Sequence, residues 1–482
     1  MTSSSAMTEE LAGPLAARNL RPSDRPMTSS SAMTEEEVVD LCRRHSLFEW
    51  GTQNVAPRAI ARAEGCYLYT VAGDRILDFS SIAMNANIGH GDQRVTEAVA
   101  TQMANVAFVS PFMATEVRAL AAQKLAEVTP AGMSKSFFTL AGADANEVAM
   151  RTARLVTGRS KILTRYRSYH GGTRATLAAS GDPRRWPVEG GMGDIVRIPD
   201  PYHYRFPLIE DAAEFRDFNL SQIDEIIRLE GPHTVAAVMV EPITGSNGLI
   251  VPPDGWLAGL KQLCQKYEIL LICDEVMSGF GRTGAWFAVD HEGVTPDIMT
   301  VAKGITSGYV PLGACVMSDS ISELLADIPI GSGMTYQSHP VGLAAAVTTM
   351  AIYETDDLIA RSASRGQYLL RGLQELQSRH VSVGDVRGKG LFTALELVYD
   401  RETRQELFPL TGPAVPAADE MKAVFAGRGL HTVLRGPWLF AVPPLVVTEE
   451  QIDWALSVFD EALDHADAAT SSAGATPPTH LA

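Results

Sequence analysis

Positive charge, cysteine and long apolar runs are all scarce in this chain, and each scarcity removes a class of function. Of 482 residues, 40 are Lys or Arg against 57 Asp or Glu, a formal net charge of -17. A surface that holds nucleic acid or anionic lipid needs clustered excess Lys and Arg to displace counterions. The expected partners are therefore small molecules, with no nucleic acid and no membrane. Arg184-Arg185 reads as a solvated pair that leaves this balance unchanged. The five cysteines, Cys42, Cys66, Cys264, Cys273 and Cys315, form no CxxC pair and no zinc-like cluster with His, so no metal site is expected. Reduced thiols in the cytoplasm are the simplest reading, with Cys264 and Cys273 as small core residues. No stretch approaches the roughly 18 to 20 apolar residues of a membrane helix, and no charged start followed by an apolar run marks the chain for export.

What the chain does have is length and apolar content. With 46% hydrophobic side chains it exceeds one compact unit of ordinary size, so one large domain and one smaller domain are expected. The opening MTSSSAMTEE recurs unchanged at Met27–Glu36 after a short polar spacer. It has no hydrophobic face to stack, so residues 1–36 read as a disordered leader with Met27 or Met33 as a candidate initiator. Residues 467–482 read as a polar tail.

Between these ends, the apolar runs Val235–Val240 and Ile269–Cys273 stop abruptly at Glu241 and Asp274. Continuous apolar character marks strands buried on both faces, as in a parallel sheet covered by helices. Trp256, Leu257, Leu260, Leu263, Cys264 and Tyr267 recur at spacings of three and four between the two runs, which predicts a helix. In such sheets ligands gather at the carboxyl ends of the strands, where Glu241 and Asp274 stand. Near the end of the chain, Thr448 and Gln451 are spaced as a capping box before a last helix.

The segment LLICDEVMSGFGRTGAWFAVDHEGVTPDIMTVAKGITSGYVPLG, Leu270–Gly313, joins a strand-end carboxylate, a Gly-rich turn and a lysine at the end of an apolar run. It resembles the class III aminotransferases, and the resemblance extends from about His45 to Leu463. It implies an α/β architecture of fold type I: a large domain with a mostly parallel seven-stranded sheet flanked by helices, and a smaller α+β domain from the N- and C-terminal segments. The expected division is 37–90 and 341–466 for the small domain and 91–340 for the large one. It also implies pyridoxal 5'-phosphate as cofactor and a homodimer with active sites at the subunit interface.

By the same resemblance, Lys303 holds the cofactor as a Schiff base and shuttles the proton. Such a lysine must be neutral to act as a base, which burial favours. Asp274 in the DEV triplet matches the partner of the pyridine nitrogen, and Val276 the apolar residue on one ring face. Tyr169 in the YHG triplet matches the aromatic on the other face, while His170 reads as a surface-loop residue. Gly142 and Ala143, in FFTLAGADANE, match the phosphate cup at a helix start, with backbone donors doing more where Ala141 and Ala143 replace hydroxyl residues. Thr335 in TYxxHP matches the threonine that reaches the neighbouring subunit's phosphate. Glu241 in EPITGSNG matches a glutamate near cofactor and substrate, or serves as a structural turn acid.

Position 277 is Met where ornithine-type members carry glutamine, which points to the omega-amine branch. Arg435 matches that branch's switching arginine, whose guanidinium grips a carboxylate through two hydrogen bonds and swings aside when none is present. Phe48 and Trp50 line the substrate pocket or pack the N-terminal arm. The stretch RYRSYHGGT with GDPRRWP and PYHYR is similar to taurine:pyruvate aminotransferases and their relatives. The expected reaction moves an amino group from a taurine- or beta-alanine-like donor to pyruvate or 2-oxoglutarate. Decarboxylation, aminomutation and racemisation share the lysine and aspartate and stay open on the cofactor motifs alone; a non-enzymatic regulator would need a DNA-binding module that the polar leader cannot form.

Overall fold

The computed structural model describes residues 33–49, 53–54, 57–187, 193–411 and 413–471. The chain divides into two units, residues 1–60 with 70–73 and residues 61–69 with 74–482. In the first unit, Thr34 opens the helix Glu35–His45 with a reciprocal cap: its hydroxyl accepts from Glu37 N, and the Glu37 carboxylate accepts from Thr34 N at 2.8 Å. Residues 35 and 36, expected in the leader, are therefore helical. The leader up to residue 32 lies outside the described residues.

The second unit is built on a seven-stranded sheet in the order Lys135–Thr139, Gly313–Met317, Ile298–Val301, Leu270–Asp274, Val235–Val240, Lys161–Arg165, Ile195–Ile198. Gly313–Met317 runs antiparallel to both neighbours, and the pairings on the other side of it are parallel. Every residue of Val235–Val240 is buried, as its unbroken apolar character requires. Successive strand residues enter two different cores. Leu271 and Cys273 pack with Trp256, Leu260 and Cys264 of the helix Trp256–Lys266, whereas Ile272 packs with Val148, Ala149 and Ala153 of the helix Gly142–Thr157. Each fully buried Val, Leu or Ile contributes about 1.5 to 3 kcal/mol, so covering both faces is what makes these strands cohere.

A five-stranded sheet follows, built on the antiparallel Val383–Lys389, Phe392–Asp400, Trp438–Ala441 and Leu434–Arg435. The early strand Arg75–Asp78 pairs in parallel with Leu430–His431, so segments from both ends of the chain join in one structure. The expected capping box forms: Thr448 N donates to Gln451 Oε1 at 3.0 Å and Gln451 N to Thr448 Oγ1 at 3.3 Å. The helix Glu449–Ser471 runs past 467, where the tail was expected. Asp467 is pinned there by Ser382 N at 2.9 Å and His380 Nδ1 at 2.9 Å. Residues 472–482 of that tail lie outside the described residues. Among the described residues no helix is long and apolar enough to cross a membrane.

Candidate active site

The parallel strands Leu270–Asp274 and Ile298–Val301 end side by side, with Asp274 registered opposite Thr300. Asp274 and Lys303 thereby face one cavity of about 390 Å³, whose wall also contains Gly142, Ala143, Tyr169, Glu241 and Val276. Seven residues singled out from separate stretches of sequence thus meet at the carboxyl edge of the sheet.

Lys303 leaves its strand in a tight turn, Lys303–Ile305, with φ at 44°. This left-handed conformation costs a non-glycine residue about 1 kcal/mol. Gly304 is required by close packing: a Cβ there would lie 2.7 Å from Asn87 Nδ2 and 2.8 Å from Phe280 Cβ. Among the described residues, Lys303 Nζ has no hydrogen-bond partner and no ion pair. Burial lowers its ammonium from 10.5 to about 8, opposed by the charges of Asp274 and Glu241 and aided by those of Arg184 and Arg282. The residue is a desolvated amine poised to be neutral, as a nucleophile or base must be.

Asp274 is buried, and both of its oxygens are engaged. Oδ2 accepts from Asn146 Nδ2 at 2.7 Å and lies 2.8 Å from His170 Nδ1; Oδ1 accepts from Val276 N at 3.0 Å. Thr300 Oγ1 donates to Asn146 Oδ1 at 2.6 Å, so the amide is fixed in turn. His170 is not the surface-loop residue the sequence suggests. Its backbone N donates to Ser180 Oγ at 2.8 Å and its ring is buried against Asp274. Asn146, His170 and Thr300 are the three residues of this network that sequence reasoning missed, although His170 adjoins Tyr169 and Asn146 lies one turn into the helix that Gly142 begins.

In the same cavity wall, Gly142 and Ala143 open the sixteen-residue helix Gly142–Thr157, and no side chain caps it. Its first N–H groups are therefore left for another acceptor. A Cβ on Gly142 would lie 2.9 Å from both methyls of Val276, so glycine keeps this cradle open. Glu241 Oε1 accepts from Tyr169 N at 3.1 Å and Oε2 from Gly245 N at 2.7 Å, which fixes the Tyr169 loop. Burial raises the Glu241 carboxyl above its ordinary value, with His170 opposing and Asp274 adding to the shift.

Arg435 is not among the residues lining the cavity; its Nη2 donates to Asp182 Oδ2 at 2.6 Å. Asp182 also holds Arg184, whose guanidinium lies 3.8 Å from the Tyr169 ring centre. Arg184 is thus not the solvated residue expected from sequence. Thr335 is exposed, outside the cavity. Phe48 belongs to the first unit, where its N and O bond reciprocally with the Gln53 amide at 3.0 and 2.7 Å. Trp50 lies outside the described residues.

A helix start without a cap suits a phosphate, a buried amine that gives up its proton more readily than a free lysine suits an aldehyde, a buried carboxylate suits a ring nitrogen, and Val276 and Tyr169 suit the two faces of a flat ring. The cavity therefore fits pyridoxal 5'-phosphate, and fold and site together define a fold type I transferase that uses it. The profile of the family Aminotransferase class-III matches residues 50–463, and the chain belongs to that family. It is 35% identical over 427 residues to the taurine–pyruvate aminotransferase of Rhodobacter capsulatus, covering 84% of this chain and 91% of that one. It is 34% identical to the putrescine–pyruvate aminotransferase of Pseudomonas aeruginosa, covering 86% and 91%. The crystal structure of taurine:2-oxoglutarate aminotransferase from Bifidobacterium kashiwanohense, in complex with the cofactor and glutamate, superposes with a TM-score of 0.88 at 37% identity, covering 91% of this chain and 99% of that one. The protein is a pyridoxal-phosphate-dependent aminotransferase.

Two results are expected at this site. Gly142→Ala should weaken cofactor binding roughly tenfold, because relieving the contact with Val276 costs on the order of 1 to 2 kcal/mol. Titration of the apoenzyme with pyridoxal phosphate measures this, and an unchanged affinity would remove the cradle from the account. The rate at which the apoenzyme captures the cofactor should rise with pH and level off above about 8, since only the neutral amine of Lys303 reacts. A rise that continues to the ordinary lysine range would show that burial does not depress this group.

Proposed function

We propose that the enzyme moves the amino group of a taurine- or beta-alanine-like omega-amine to pyruvate or 2-oxoglutarate. The observation that carries this reading is Arg435, a guanidinium held beside the cavity by Asp182 rather than in it. An arginine so stationed serves one substrate with a terminal anion and another without an α-carboxylate. The names of the taurine-directed relatives support the same donor class.

The bound cofactor supplies an electron sink for the carbon that carries the amino group. Lys303 would bind it covalently and, as a neutral amine, would take the proton from that carbon and return it at the other end of the transfer. Asp274, held by Asn146 and His170, would keep the ring nitrogen protonated. Val276 and Tyr169 would hold the ring, the backbone of Gly142 and Ala143 would bind the phosphate, and Glu241 orders the Tyr169 loop. Thr335 of one subunit serves the phosphate of its partner in a homodimer. Thr335 is exposed, and beside it Tyr336 packs edge-on to Phe108 at 5.6 Å, both rings being exposed, with exposed Phe112 and Met113 on the Phe108 loop. Such apolar surface favours burial against a second copy. The five free thiols fit a reducing compartment such as the cytoplasm.

The test is the pair of half-reactions followed by visible absorbance. Taurine or beta-alanine should bleach the yellow enzyme, and pyruvate or 2-oxoglutarate should restore it. Release of CO2, or amino transfer that needs no keto acid, would replace transamination of these donors by another reaction on the same fold.

A further inference from the structure

Asp182 is fully buried and accepts four hydrogen bonds, three from its neighbour Arg184 and one from the distant Arg435. Its Oδ1 accepts from Arg184 N at 2.9 Å and Arg184 Nε at 2.8 Å. Its Oδ2 is shared between Arg184 Nη2 at 3.0 Å and Arg435 Nη2 at 2.6 Å. One carboxylate thus faces two guanidiniums. Arg184 also lies over Tyr169, a wall of the cavity, and its charge reaches Lys303.

This sharing decides what it costs Arg435 to move. Breaking a buried pair is expensive chiefly because it strands a buried charge. Here Asp182 keeps three hydrogen bonds from Arg184 when Arg435 departs, so no charge is stranded. We propose that Asp182 is the seat from which Arg435 is released to a substrate's terminal carboxylate or sulfonate, with Arg184 setting how readily it leaves. Asp182 and Arg184 are in this sense positioning residues that set the balance between anionic and anion-free substrates. The inference rests on the donor and acceptor classes proposed above.

The two residues predict opposite effects, which a loss of general integrity cannot produce. Asp182→Asn unseats Arg435 and should lower the KM for pyruvate several-fold, about fivefold or more, while weakening butylamine, tested as substrate or competitive inhibitor, because a guanidinium without its counter-charge then occupies the site. Arg184→Gln leaves Arg435 as the only side-chain cation on Asp182 and should raise the KM for pyruvate about tenfold, with kcat changed much less. Taurine and beta-alanine separate a sulfonate-reading from a carboxylate-reading site, since each should follow pyruvate only if its own anion engages Arg435. Shifts in the same direction for both variants, or changes in kcat alone, overturn the proposal. Should Asp182→Asn not fold, Arg184→Gln decides by itself: an unchanged or lowered KM for pyruvate overturns it. The KM for the keto acid is read with whichever donor the wild type accepts, so absence of turnover with every omega-amine sinks the donor reading alone.

Discussion

Lys303→Ala is expected to reduce transamination by roughly ten-thousandfold or more and to abolish the yellow band of the holoenzyme. The reason is that the cavity wall offers no second amine: Lys303 is the single lysine among its lining residues, and no arginine lines it either. One group is asked both to hold the cofactor and to move a proton, and removing it deletes both functions together. The same substitution should leave the melting temperature of the apoenzyme unlowered. Lys303 has no ion pair to lose, and burial already works against its charged form, as the fall to about 8 indicates. Kinetics that separate from stability in this way are the mark of a residue kept for chemistry. A Lys303→Ala enzyme that stays yellow and works within about tenfold of wild type would end the assignment of this lysine.

Asp274→Asn is expected to lower kcat by roughly a hundred- to a thousandfold, the scale of losing one preorganised charge at a reacting centre. The substitution is nearly isosteric, so the loss is one of charge rather than space. It also brings a geometric conflict. Both oxygens of Asp274 accept: Oδ1 from Val276 N, and Oδ2 from Asn146 Nδ2. Whichever way an asparagine amide turns, its NH2 meets a donor. Leaving such a group unsatisfied costs about 1 to 3 kcal/mol, so this variant, unlike Lys303→Ala, should also melt at a lower temperature. A kcat within about threefold of wild type would remove Asp274 from the chemistry.

How much of this was legible in the sequence depended on how local the physics is. Val235–Val240 and Leu270–Asp274 read as buried strands because both faces of each are covered, and burial on both faces leaves an unbroken apolar run. Asp274 and Glu241 stood out because a charge that ends such a run sits at a strand terminus, whereas Lys303 stood out through the family motif around it, since a lysine after an apolar run is by itself more often a surface residue. The Thr448 cap was readable because its two partners are three residues apart. The pair Arg435–Asp182 spans 253 positions, and no local pattern encodes such a meeting. His170 misled for a related reason. Polar residues in loops are mostly solvated, and only the fold brings a buried carboxylate to its ring. The same limit hid the sharing of Asp182 by two guanidiniums, since its energetics exist only once two distant segments have met.

The amine and the acid stand at the ends of adjacent strands, with Asp274 level with Thr300. The interstrand spacing of about 4.8 Å is set by backbone hydrogen bonds and is indifferent to which substrate is bound. The sheet therefore acts as a ruler that fixes Lys303 and Asp274, while the two arginines proposed to govern substrate choice lie off it, Arg184 in the short turn Pro183–Arg185 and Arg435 on a strand of the five-stranded sheet. Change can accumulate in those segments without disturbing the interval between Lys303 and Asp274. A shift of one residue in strand register, in contrast, would turn the end groups to the opposite face and silence the enzyme outright. Chemistry in this molecule is inherited as an all-or-none trait, and substrate preference as a graded one.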